Sequence, residues 1–220
     1  MNYVLYARPG WGSVLVEAQL AWYRLPFETR MVDDLFESRA ARDALAVLNP
    51  RAQLPTLVLP NGTVLTESAA ITLHLGDVMA AADAVTSLVP PAGDPTRDAF
   101  LRWLIFIVAN IYPTYTYGDA PERFVVEPVA AAAFRERIDD YALALYLELE
   151  AAAVGPWFLG ESLSAIDFFV ATLVQWRPGP DWFRAHAPRL FDIAQRGYAL
   201  ESIAPTWGAN FPSLLTADTQ

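Results

Sequence analysis

Residues 53–68, Gln53-Leu54-Pro55-Thr56-Leu57-Val58-Leu59-Pro60-Asn61-Gly62-Thr63-Val64-Leu65-Thr66-Glu67-Ser68, decide how this chain folds. The apolar runs at 57–59 and 64–65 flank Asn61-Gly62, the pair that best tolerates the positive φ angles of a tight hairpin. Thr66, Glu67 and Ser68 then lead into Ala69-Ala70-Ile71-Thr72-Leu73, a good helix start. Backbone N–H groups lack intrahelical partners there and the helix dipole is positive, so a ligand carboxylate is stabilised. Pro55 has no N–H to give a sheet ladder and belongs at the first residue of a strand or at a bend. With a cis bond before it, the chain turns sharply and the main chain of Leu54 faces outward. An extended peptide adds to such an edge as a short extra strand. The segment therefore predicts a place for a peptide backbone beside a place for its carboxylate.

Working outward, residues 2–6 alternate as a first strand that Ala7-Arg8-Pro9-Gly10 breaks. Val14, Leu15, Ala18, Ala21 and Trp22 recur near helical spacing, which predicts a first helix starting at Trp11 or Gly12 and running to Tyr23. Leu25-Pro26 turns the chain into a second strand at 27–32, and 38–48 reads as a helix ending before Asn49-Pro50. The hairpin and a third helix, from 67 to about 78, complete the order βαβαββα of a thioredoxin fold. Pro90-Pro91, Gly93 and Asp94-Pro95 mark a connection, with Asp94 a cap followed by proline at the first helical position. Helices are then expected over 96–112, 128–154, 165–176 and 188–200, and the tail from Trp207 carries too little pattern to assign. The expected organisation is an α/β thioredoxin-like domain at 1–79, a linker at 80–95 and an all-α domain at 96–220.

Composition narrows the function. The chain of 220 residues carries a formal charge of −10 and an isoelectric point near 4.6, a balance that repels phosphate backbones and argues against nucleic acid as a partner. With no Cys, disulfides, thiolate metal sites and any mechanism using a protein thiolate are excluded. The two histidines, His74 and His186, lie far apart; no metal is expected, and a His-centred triad has little to build on. Although 54% of residues are hydrophobic, no apolar run is long enough to span a bilayer, so no membrane partner is expected. The N-terminal stretch Met1-Asn2-Tyr3-Val4-Leu5-Tyr6 reads as a strand and not as a signal peptide. A soluble, cytoplasmic protein is the expectation.

Two segments carry a family resemblance. Asn49-Pro50-Arg51-Ala52-Gln53-Leu54-Pro55-Thr56-Leu57, followed by Leu65-Thr66-Glu67-Ser68-Ala69-Ala70-Ile71, resembles the glutathione-binding half of cytosolic glutathione S-transferases, in order of elements as well as in residues. Phe158-Leu159-Gly160-Glu161-Ser162-Leu163-Ser164-Ala165-Ile166-Asp167 is similar to the capping-box segment that opens the core helix of that family's helical domain. In such a box the Ser164 hydroxyl accepts from the N–H three residues on, and the Asp167 carboxylate reaches back to the N–H of Ser164. That pair is a folding device without a catalytic role.

The resemblance implies a transferase that uses glutathione as a substrate, without a metal, and joins its thiol to a small apolar electrophile. By resemblance, Glu67 takes the ammonium of the γ-glutamyl end, while Ser68 and the helix N-terminus take its carboxylate. Leu54, ahead of Pro55, gives its main-chain N–H and C=O to the cysteinyl part, and Gln53 contacts the glycyl carboxylate. Thiol activation is expected from the loop 7–13. Ser13 is the leading hydroxyl donor and Tyr6, at the end of the first strand, its rival. Arg8 is a candidate partner for a ligand carboxylate, though a solvated loop charge is the plainer reading. Bacterial members often carry Pro-Gly-small-Cys-Ser here; Gly12 stands where that cysteine would be, which removes mixed-disulfide chemistry. The second substrate is expected against Trp11, Trp103, Phe106, Asn110, Tyr112, Tyr115 and Tyr117, a set that also suits interior packing or a subunit contact. Asn110 could also reach glutathione from the helical side. A homodimer is implied. The alternatives are a glutathione-binding or scaffold protein without turnover and a glutathione-dependent isomerase or dehalogenase, although the Ser-Ser-Cys loop of zeta-type isomerases is absent.

Overall fold

The computed structural model describes residues 2–82 and 86–216. Met1, residues 83–85 within the expected linker and 217–220 at the end of the expected helical domain lie outside the described residues. By compactness the chain forms two units, Met1–Pro91 with Arg196–Gln220, and Ala92–Gln195.

The first unit opens with β1 (Tyr3–Ala7), α1 (Val14–Trp22), β2 (Phe27–Met31), α2 (Arg39–Ala46), β3 (Thr56–Val58), β4 (Val64–Leu65) and α3 (Ser68–Ala82). The sheet order is β2-β1-β3-β4. β1 runs parallel to β2 and antiparallel to β3, and β3 pairs with β4 as a hairpin. A parallel pair requires a crossover, which α1 supplies. Period-2 alternation places Tyr3, Leu5 and Ala7 on the buried side of β1. Leu5, Leu15, Leu57, Ile71 and Leu75 are fully buried, each worth roughly 1.5–3 kcal/mol relative to exposure. The architecture is thus a thioredoxin-like α/β part followed by a helical part.

The second unit holds α4 (Arg97–Phe106), a π-helical turn (Ile107–Ile111), α5 (Tyr112–Asp119), a 3₁₀ turn (Pro121–Arg123), α6 (Pro128–Ala152), α7 (Ala165–Gln175), α8 (Pro180–His186) and most of α9 (Pro188–Tyr198). The tail then forms α10 (Ala204–Asn210) and α11 (Ser213–Thr216), which belong to the first unit, where α10 packs on α1.

The expected helix at 96–112 does not stop there. Pro113 lacks an N–H and its ring crowds the carbonyl four residues back, which ordinarily ends a helix. Here the turn just before it widens into the π form, and the helix continues as α5 to Asp119.

α7 is the core helix of its unit, with every residue from Ala165 through Val174 buried. The capping box at its start closes. Asp167 Oδ2 accepts from the Ser164 N–H at 2.7 Å and the Ser164 hydroxyl at 3.1 Å. Asp167 Oδ1 accepts from the Phe158 N–H at 2.7 Å. Burial pushes this carboxyl up to about 6, against the downward pull of those bonds.

Candidate functional site

The strand register assembles the site. Leu57 faces Leu65 and Val58 faces Val64, so β3 begins and β4 ends at the same end of the sheet, with the bend at 54–55 leading into the one and the start of α3 following the other. Tyr6 faces Thr56, so the loop that follows Ala7 leaves β1 at this same end of the sheet. Three pieces therefore converge: the bend at 54–55, the start of α3 and the β1–α1 loop.

The Leu54–Pro55 bond is cis. Leu54 is half-buried, and its N–H and C=O make no hydrogen bond among the described residues. The chain just upstream is tied down. Asn49 Nδ2 donates to the Gln53 carbonyl and to the Thr56 hydroxyl, both at 3.0 Å, and that hydroxyl donates to the Gln53 carbonyl at 2.8 Å. Asn49 and Thr56 are buried. Sequence reasoning gave neither a role, although an amide and a hydroxyl bracketing a bend are a signal for it. The Gln53 side chain is exposed and accepts from Arg51 Nε at 3.2 Å.

Just after β4, Glu67 is exposed and holds φ at +65°, a left-handed conformation disfavoured for a residue with Cβ. Its carbonyl accepts from the Ile71 N–H at 3.0 Å, the first bond of α3. The N–H groups of Ser68, Ala69 and Ala70 precede that bond and have no partner among the described residues. Ser68 is buried, yet its hydroxyl also makes no hydrogen bond among them. This end of α3 is thus a cluster of donors with an exposed carboxylate beside it.

The β1–α1 loop is closed on itself. Ser13 is fully buried, and its hydroxyl accepts from the Arg8 N–H and donates to the Arg8 carbonyl, both at 3.2 Å. The N–H groups of Gly12 and Ser13 at the start of α1 make no hydrogen bond among the described residues. Arg8 is paired with Asp34 at 3.2 Å. Trp11 lies 5.2 Å from Phe36, ring centre to ring centre. The Tyr6 hydroxyl accepts from Arg30 Nη1 at 3.1 Å. A hollow of about 440 Å³ lined by Val4, Glu28, Val58 and Gly62 lies at the opposite, hairpin-turn end of the sheet.

Of the residues expected at the second substrate, Trp11 is in the first unit and the others are in the second. Trp103 is buried, edge-on to Phe106 and Phe158, with the Arg102 guanidinium 4.4 Å above its ring. Asn110 Nδ2 donates to the Phe106 carbonyl at 3.2 Å, inside the π turn. Tyr112 lies against Phe169 and Trp176, its hydroxyl buried without a partner among the described residues. The Tyr115 hydroxyl shares a hydrogen bond with the Tyr146 hydroxyl and donates to the Arg177 carbonyl at 2.9 Å. Burial holds the Tyr112 and Tyr115 phenols well above the usual range. Tyr115 also lines a cavity of about 240 Å³ with Thr114, Asp139 and Arg177. Tyr117 is exposed, edge-on to Phe124.

No helix among the described residues is long and apolar enough to cross a membrane.

Residues 16–78 match the model of the glutathione S-transferase N-terminal domain. YncG of Escherichia coli K12, an uncharacterized GST-like protein, is 36% identical over 191 residues, 86% of this chain and 89% of its own length. The glutathione S-transferase GstA of Escherichia coli O157:H7 is 25% identical over 175 residues, covering 78% of this chain and 81% of that protein. A crystal structure of a glutathione transferase homolog from Sulfitobacter, with bound glutathione, aligns with a TM-score of 0.79 at 21% identity. It covers 93% of this chain and 96% of that one.

Proposed function

The chain belongs to the glutathione S-transferase family, and we propose that it is a glutathione transferase, joining the sulfur of glutathione to a small apolar electrophile. One observation carries the reading: at the same end of the sheet where β3 begins and β4 ends, the main chain of Leu54 and the N–H groups of Ser68, Ala69 and Ala70 have no partner among the described residues, with the exposed Glu67 beside the latter. Those groups fit a tripeptide that offers a backbone amide, an ammonium and a carboxylate. The glutathione bound in the Sulfitobacter homolog, which shares the fold, supports glutathione as the ligand. On this reading Leu54 pairs the cysteinyl unit, Glu67 takes the ammonium, Ser68 with the N-terminus of α3 takes the γ-glutamyl carboxylate, and Gln53 meets the glycyl end.

A thiol with a pKa of about 8.5 needs about 1.4 kcal/mol of preference for the thiolate per unit of lowering. The N-terminus of α1 supplies donors for it: the Gly12 and Ser13 N–H groups, and the Ser13 hydroxyl once it turns from the Arg8 carbonyl to sulfur. The reading includes a homodimer, which sedimentation velocity checks. Calorimetry with glutathione is the first test, and failure to bind sinks the reading. Turnover with an aryl halide is the second. Ser13→Ala is expected to lower kcat at least tenfold, and a loss with Tyr6→Phe instead assigns the thiolate donor to Tyr6.

The burial of Ser13, with its hydroxyl engaged at both ends by Arg8, favours a second reading: a protein that binds glutathione without turning it over. Binding heat with no aryl halide turnover selects it.

A further inference from the structure

Asn210 stands at the end of α10 and is buried, and each polar group of its side chain is spent. Its Oδ1 accepts from the Gly10 N–H at 3.3 Å. Its Nδ2 donates to Glu17 Oε2 at 3.0 Å and to the Thr206 carbonyl at 2.9 Å. The amide has one satisfied orientation, because turning it over would set its N–H groups against the Gly10 N–H and its oxygen against two acceptors. A side chain from the far end of the chain thus grips both the β1–α1 loop, at Gly10, and the helix behind it, at Glu17. The loop rests on the same support: a Cβ at Gly10, where φ is +75°, would lie 3.6 Å from the Asn210 carbonyl oxygen and 3.7 Å from the Phe211 ring.

We infer that Asn210 is a positioning residue that acts through Gly10 on the loop carrying Trp11, Gly12 and Ser13, and so sets the donors offered to the glutathione sulfur. The inference rests on the transferase reading for its consequence, but the grip on the loop stands independently of any ligand. Burial raises the Glu17 carboxyl, and the bond from Asn210 lowers it; that bond is the main polar compensation the carboxylate has.

The design of the contact yields a specific test. Asn210→Asp sets a second carboxylate against Glu17 and withdraws the donor, whereas Asn210→Asp with Glu17→Gln restores a donor–acceptor pair with the polarity reversed and keeps the acceptor for Gly10. Hydrogen exchange is measured on the peptide spanning 8–13 and, as an internal reference, on the one spanning 56–65. Asn210→Asp is expected to speed exchange at least tenfold at 8–13 with less than a twofold change at 56–65. It is also expected to raise the pKa of the bound glutathione thiol, read from thiolate absorbance, by about one unit, with KM for glutathione changed less than threefold. The double variant recovers most of both. Should Asn210→Asp not fold, Asn210→Ala serves, with the same local exchange expected. Unchanged exchange at 8–13, equal acceleration at 56–65, or no recovery in the double variant overturns the inference. If the wild-type protein binds no glutathione, the transferase reading fails while the exchange comparison still decides the grip.

Discussion

Two helix starts in this molecule use the same chemistry, a serine and a carboxylate, and put it to opposite ends. At α7, Asp167 is fully buried and accepts from two main-chain N–H groups and the Ser164 hydroxyl. At α3, Glu67 is exposed in a left-handed conformation, and Ser68 with the first N–H groups of the helix has no partner among the described residues. The first arrangement consumes its polar groups in folding. The second keeps them oriented and available, which is what recognition of a ligand carboxylate requires. Residue type does not separate the two; satisfaction of the polar groups does.

The largest effect that sharpens the contrast belongs to the satisfied start. Asp167→Ala leaves three donors without their acceptor in the core of the second unit, so a loss on the order of 3–5 kcal/mol is expected. Urea unfolding measures it, and glutathione affinity of the folded fraction should stay within twofold. A variant that keeps its stability and loses affinity would reverse the roles assigned to the two sites.

The converse change is next. Glu67→Ala with Ser68→Ala is expected to weaken glutathione binding at least 100-fold, about 2.8 kcal/mol, while the unfolding free energy moves by less than about 1 kcal/mol. Calorimetry and urea unfolding on one preparation give both numbers. A large stability loss with intact affinity would make this helix start a second capping device.

The α7 site also predicts a pH dependence. Its carboxyl titrates at about 6 in the folded protein and near 3.9 when unfolded, so the native state binds the extra proton between those values. The contribution is fully present below about pH 4 and is lost as pH rises through about 6. Two units correspond to roughly 2–3 kcal/mol. The stability of wild type relative to Asp167→Asn should therefore rise as pH falls from 7 to 4, and a flat difference removes the raised carboxyl from the account.

Much of this was legible in the sequence because local chemistry wrote it. Asn61-Gly62 between apolar runs specifies a hairpin, and a proline followed by such a hairpin, with a carboxylate and a hydroxyl after it, specifies both edge and helix start. What escaped depended on partners distant in the chain or on compensation. Pro113 reads as a stop, and only the widened turn at Ile107–Ile111 lets the helix run on to Asp119. The short helices α8, α10 and α11 have too few turns to show periodicity. Asn210 reads as an ordinary tail residue, since its bonds to Gly10 and Glu17 cross nearly the whole sequence. Ser13 was expected to offer its hydroxyl, and no pattern could announce that Arg8 already holds it at both ends.

The smallest effect probes the backbone of Glu67. A left-handed φ costs a residue bearing Cβ roughly 1–2 kcal/mol, and glycine adopts it freely at the expense of a larger unfolded-state entropy. Glu67→Gly should therefore stabilise the protein by about 0.5–1 kcal/mol while weakening glutathione binding roughly tenfold, about 1.4 kcal/mol, through loss of the carboxylate. At α7 the parallel change has no such split, because Ser164 is extended at φ −135° and glycine there removes a hydroxyl and relieves nothing. Opposite signs of stability and affinity at position 67 would mark a residue held in a costly conformation for a ligand. A destabilised Glu67→Gly would instead show that the turn into α3 relies on the glutamate side chain, and the two helix starts would then differ only in degree.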